Sequence, residues 1–129
     1  MASISKQEFL KALHSLQEAY IFSQKQSLSL IEKSISRDAC IQRYEYSIEL
    51  TWKLMKKIMG SSSATSRPII REMAQNDYIQ NPKKWFVFIN ARNKTSHAYD
   101  EAIAQDVYEV IPDFIKEIET LLPKINEEI

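Results

Sequence analysis

Apolar residues recur every three or four positions along most of this chain, which is the period of helices that bury one face. Ser5 and Glu8 have the spacing of a capping box, and Phe9, Leu13, Leu16 and Tyr20 follow at helical intervals, so a first helix starts near Lys6. Its pattern loosens around Ser27, Ser29, Ser34 and Ser36, where a turn is expected. A second helix is predicted from about Arg37 to Met59, because Ile41, Tyr44, Ile48, Thr51, Met55 and Ile58 trace one face and Gly60 can supply a left-handed terminator.

The run Ser61, Ser62, Ser63, Ala64 reads as a mobile loop, after which Thr65 can cap a short third helix carrying Ile69, Ile70 and Met73. Pro68 fits there only because it falls in the first turn. Asn81 and Pro82 form an N-cap and N1 pair opening a fourth helix, with Trp85, Phe86, Phe88 and Ile89 as its buried part. Asp100 can cap a fifth, whose apolar positions are Ile103, Val107, Val110, Phe114, Ile118, Leu121 and Ile125; Pro112 within it predicts a bend near Tyr108. Together these elements predict an all-α, up-and-down bundle of four to five helices, with residues 1–129 forming one domain.

Composition narrows the function classes. Gly60 is the only glycine, so a phosphate-cradling loop or dinucleotide-binding fold lacks its raw material. The single cysteine, Cys40, cannot form an internal disulfide, and no signal peptide or membrane-length apolar run is visible; the expected setting is soluble, reducing and cytoplasmic. From Ile79 to Tyr99 the charged residues are Lys83, Lys84, Arg92 and Lys94, with no acid among them, a strip able to hold one or two phosphates. From Asp100 onward acids dominate, which reads as a solvated helix face.

The fourth helix changes from apolar to densely polar at Asn90-Ala91-Arg92-Asn93-Lys94-Thr95-Ser96-His97-Ala98-Tyr99. Asn93 and His97 share a helix face, whereas Arg92 lies about 140° from His97 and must reach around the helix to join it. An arginine beside a histidine suits cleavage of an RNA phosphodiester, the imidazole moving the proton and the guanidinium holding the phosphorane charge, without a metal. The alternative is that Arg92, Asn93 and His97 only cap the helix C-terminus, where cations favour the dipole. Trp52 and Trp85 read as core anchors, His14 as a half-buried packing histidine, and Glu45 and Glu49 as either ion-pair partners of the basic fourth helix or simply solvated carboxylates. With only His14, His97 and Cys40 available, no zinc site is expected.

The string Arg92 to Glu101 resembles the signature of the HEPN-type nucleotidyltransferase substrate-binding protein family in its Arg-x4-His-x-Tyr form. Further likenesses lie in Tyr44 to Lys53, in Ile70-Arg71-Glu72 and in Val107 to Pro112, so the resemblance spans most of the chain; Pro68 and the long serine-rich loop depart from it. It implies a dimerising bundle of four or five helices that works with a separate minimal nucleotidyltransferase. By the same resemblance, the chain would be the toxin of a toxin-antitoxin pair and a metal-independent endoribonuclease needing no cofactor. Arg92 would grip the scissile phosphate, His97 would be the acid-base group, Asn93 would orient it, and Tyr99 would accept the adenylate with which the partner silences the RNase. The alternative implied role is a non-catalytic subunit presenting substrate or nucleotide to the nucleotidyltransferase.

Overall fold

Four of the five helices begin where a short polar side chain satisfies backbone N–H groups that have no partner within the helix. In a computed structural model describing the backbone of residues 5–128 and the side chains of 5–125, five helices follow in order. These are α1 (Lys6–Ser23), α2 (Leu30–Met59), α3 (Ser66–Gln75), α4 (Pro82–Lys94) and α5 (Glu101–Glu128), with a single 3-10 turn, Thr95–His97, joining the last two. No strand occurs among the described residues, and the all-α bundle expected from the sequence is what forms.

Local chemistry explains the boundaries. Ser5 accepts from the Glu8 N–H at 3.1 Å, opening α1. The second helix starts seven residues earlier than the Arg37 expected, because Ser29 and Glu32 form a reciprocal capping box: the Ser29 hydroxyl accepts from the Glu32 N–H, and the Glu32 carboxylate accepts from the Ser29 N–H at 2.8 Å. Ser36, read as part of the turn, instead lies buried within α2, its hydroxyl donating to the Lys33 carbonyl. Gly60 closes α2 at φ 63°; its own N–H bonds to Lys57 O and that of Ser61 to Lys56 O, a Schellman termination.

The serine loop after Gly60 is held rather than loose. Ser61 and Ser63 both donate to one carboxylate oxygen of Glu72, tying the loop to α3. Thr65 occupies the N-cap position of α3 but its side chain makes no capping bond. Asn81 and Pro82 open α4 as expected, and the Asp100 carboxylate accepts from the N–H groups of Ala102 and Ile103 at the start of α5. That helix continues through both Pro112 and Pro123.

The central element is α2, which packs against all four other helices, while α5 packs against α2, α4 and α1. Between them sits an aromatic cluster: the Phe114 ring meets Tyr44, Phe88 and Trp85 edge-on at centroid separations of 5.2, 5.5 and 6.1 Å. The Tyr44 hydroxyl donates to the Phe88 carbonyl at 2.6 Å, and burial pushes its phenol well above the ordinary tyrosine range. The buried stripe of α5 is Ala104, Val107, Ile111, Phe114, Ile118, Leu121 and Ile125, so Ala104 and Ile111 take the places expected of Ile103 and Val110. Trp85 is fully buried as a core anchor, whereas Phe86 is only partly buried beneath the guanidinium groups of Arg67 and Arg71. Among the described residues, no helix is long and apolar enough to cross a membrane.

Candidate functional site

The change from apolar to polar sequence in α4 coincides with the point at which the helix leaves the core. Ala91 is the last α4 residue to be buried, α4 ends at Lys94, and the chain tightens into the 3-10 turn before α5 begins. Thr95 fixes this corner. It is buried, and the single proton of its hydroxyl serves either the Arg92 carbonyl at 2.8 Å or the Glu45 carboxylate on α2. The turn is thereby fastened to α2 through a threonine that the sequence reading leaves without a role; its signal is that it alone of residues 93–97 is buried.

Arg92 is partly buried and faces α2, where its Nε lies 2.7 Å from a Glu49 carboxylate oxygen. The approach is off the N–H direction, so Nε is a buried donor in an ion pair without a well-formed hydrogen bond. Glu49 also lies 3.5 Å from Lys53. The expectation that Glu49 pairs with the basic fourth helix holds, and the cation it takes is the motif arginine.

The other motif residues stand away from this pair. Asn93 and His97 are exposed, and Asn93 makes no side-chain hydrogen bond among the described residues. His97 meets Tyr99 edge-on, ring centroids 6.2 Å apart, and Tyr99 is 87% exposed. Two half-sites therefore exist within one chain: Arg92 with Glu49, and His97 with Tyr99. Beside Tyr99 lies an open concavity of about 490 Å³ lined by Asp38, Ile41, Gln42, Glu45, Thr95 and Ala98. Its carboxylates suit hydroxyl or amino donors rather than a phosphate.

The remaining candidates resolve simply. His14 is a surface residue and not a packing histidine: it points away from the core beside Leu13 and lies 3.2 Å from Glu18 one turn on. Trp52 is partly buried, with Lys53 over its ring. No cluster of three His, Cys, Asp or Glu side chains able to hold a metal occurs among the described residues.

A helical bundle whose polar corner carries this motif belongs to a definable class, and comparison with known proteins identifies it. Residues 5–127 match the family described as "Nucleotidyltransferase substrate binding protein like", and the chain belongs to that family. It is 28% identical to a Haemophilus influenzae protein named "Probable ribonuclease HepT", over 90% of this chain and 88% of that one. Among solved structures, it is similar to a Haemophilus influenzae protein described as showing the fold of a substrate binding domain of a nucleotidyltransferase. That match has a TM-score of 0.79 and 27% identity, covering 93% of this chain and 98% of the other. A structure from Thermus thermophilus matches with a TM-score of 0.77 and 25% identity, over 91% and 98% of the two chains.

Proposed function

We propose that this chain, acting as one domain, is a metal-independent endoribonuclease that a separate minimal nucleotidyltransferase silences by adenylylating Tyr99. The observation that carries the reading is the pairing of His97 with a tyrosine ring standing almost wholly in water, where a second enzyme can reach it. The relative named as a ribonuclease supports it. In cleavage, His97 takes the proton of a ribose 2′-hydroxyl, that oxygen attacks the adjacent phosphorus, and the imidazolium returns the proton to the departing 5′-oxygen, giving a cyclic phosphate. Arg92 turns from Glu49 to hold the phosphorane charge, and Asn93 orients the imidazole. In silencing, the Tyr99 Oη attacks the α-phosphorus of ATP held by the partner, pyrophosphate departs, and the tyrosine carries adenylate. The added charge and bulk then stand at the entrance to the site.

Within one chain Arg92 pairs with Glu49 and His97 with Tyr99, and the reading includes a homodimer in which two copies bring the half-sites together. The exposed Ile21, Leu30, Ile31 and Ile35 at the α1–α2 end support such an assembly. The engagement of Arg92 by Glu49 favours a second reading, a non-catalytic subunit that presents substrate to the nucleotidyltransferase.

The test is to incubate the purified chain with its nucleotidyltransferase, ATP and magnesium, recording intact mass and RNA cleavage before and after. Wild type should gain one adenylate and lose cleavage, Tyr99→Phe should cleave and gain nothing, and folded His97→Ala should not cleave. Cleavage by His97→Ala equal to wild type refutes the catalytic assignment. Association with the partner without cleavage or mass gain supports the second reading.

A further inference from the structure

Away from the motif corner, a cavity of about 290 Å³ opens between the end of α1 and the starts of α2 and α5, lined by Ser23, Lys33, Ser34, Arg37, Gln105 and Tyr108, with Glu101 at its rim. The donors it offers an anion are the two cations and the Ser34 hydroxyl, since the Gln105 amide donates to Glu109 and turns its oxygen toward Arg37. Arg37 is the most committed member, its side chain only 15% exposed. Its Nη1 lies 2.9 Å from Glu101 and 3.5 Å from the Gln105 side-chain oxygen, but its Nε is buried with no hydrogen-bond partner. A buried guanidinium N–H without an acceptor has a capacity that the fold itself does not use.

Opposite it, Ser23 and Tyr108 wall the space with hydroxyls already engaged: Ser23 donates to the Tyr20 carbonyl at 2.7 Å, and the Tyr108 hydroxyl donates to Ser23 at 2.7 Å while accepting from the Gln24 amide. The only acid in the lining is Glu101, and its side chain is 79% exposed on the first turn of α5. It is free to swing into water, because nothing but Arg37 holds its carboxylate. Within the lining two cations face one displaceable carboxylate, so the local charge becomes more positive when Glu101 moves out, with Asp38 beside Arg37 offsetting part of it.

We propose that this cavity binds a single phosphate group, gripped by Arg37 and Lys33 and bonded by the Ser34 hydroxyl, and that Glu101 occupies the anion's place in its absence. The volume is several times that of a phosphate ion, so the ligand is inorganic phosphate or the phosphate of a mononucleotide whose remainder also enters. The site shares no residue with the Arg92 and His97 corner and does not depend on the ribonuclease reading.

The experiment is calorimetric titration of the full chain with inorganic phosphate and, separately, with AMP, against chloride at matched ionic strength. Saturable binding is expected in wild type. Lys33→Gln, a surface change that spares the fold, should weaken it about tenfold, as should Arg37→Gln where that variant folds. Glu101→Gln should act in the opposite direction, tightening binding severalfold by removing the competing carboxylate. Tighter binding of AMP than of phosphate identifies the nucleotide source, and equal binding identifies free phosphate. The proposal is overturned if wild type shows no saturable binding, if Lys33→Gln binds as wild type does, or if Glu101→Gln weakens binding. The last result would make Arg37–Glu101 a purely structural ion pair.

Discussion

Phe114 is the point at which the bundle's aromatic packing can be measured. Its ring is fully buried on α5 and meets Tyr44, Phe88 and Trp85 from three sides at interplanar angles of 84°, 86° and 71°. Substitution by leucine keeps an apolar side chain of comparable bulk but removes all three edge-on contacts, each worth about 0.5–1.5 kcal/mol beyond the area it buries. Because one ring serves all three and neighbouring contacts do not simply add, the expected loss is about 2 kcal/mol. Truncation to alanine adds the cavity and should cost about 4 kcal/mol. With an unfolding entropy of about 0.3 kcal/mol/K for a chain of this length, these losses lower Tm by about 7 °C and about 15 °C. Circular dichroism at a helical wavelength during thermal unfolding reads both, and urea titration checks that the slope stays constant. If Phe114→Leu melts within about 1 °C of wild type, ring geometry contributes nothing and the core is held by volume alone.

Three further outcomes follow from named contacts. Tyr44→Phe removes a buried hydroxyl that donates to the Phe88 carbonyl and should cost about 1 kcal/mol at neutral pH. Because the folded phenol titrates above the ordinary value of 10.0, wild type should lose stability as pH rises past that value while Tyr44→Phe loses less; identical alkaline curves would contradict the burial argument. Gly60→Ala puts a side chain at φ 63° in otherwise open space, so backbone strain alone should cost about 1 kcal/mol, and Gly60→Asn should cost less; equal stabilities would refute it. Ser29→Ala should cost about 1 kcal/mol through the α2 capping box. The bond from Ser29 holds the Glu32 carboxyl below its usual range, so that contribution is present above the unfolded value of 4.5 and fades as pH falls through the lower folded one. Because alanine keeps the Ser29 N–H that donates to the carboxylate, the acid dependence is read with Glu32→Gln, and an acid melting curve as steep in that variant as in wild type would remove this contribution from the account.

Signals confined to a few residues were fully legible: Asn81-Pro82 marks the start of α4, and Gly60 marks the end of α2. The start of α2 was not, because serine serves equally as a cap, as a turn residue and, when its hydroxyl bonds back to the helix, as an interior residue, which is what Ser36 does. On α5, adjacent apolar pairs Ile103-Ala104 and Val110-Ile111 leave the exact buried edge to be decided by the neighbouring helices, and small Ala104 wins over Ile103. The motif stands out in sequence as a polar interruption. The fact that Arg92 turns to α2 while His97 stays with Tyr99 depends on how α2 and α4 register, which no local pattern records.

The grip of Glu49 on Arg92 also sets a population. A partly exposed ion pair stabilises by about 1 kcal/mol at most, which would leave the guanidinium unengaged in roughly one molecule in six. A phosphate that needs the released arginine then binds about sixfold more weakly than the bare geometry would give, since only the released fraction is competent. The engaged majority shields the corner from indiscriminate polyanions. On the proposed ribonuclease reading, a ligand must interact with enough of the surrounding surface to shift that equilibrium, which disfavours an isolated phosphate relative to a longer, well-placed chain.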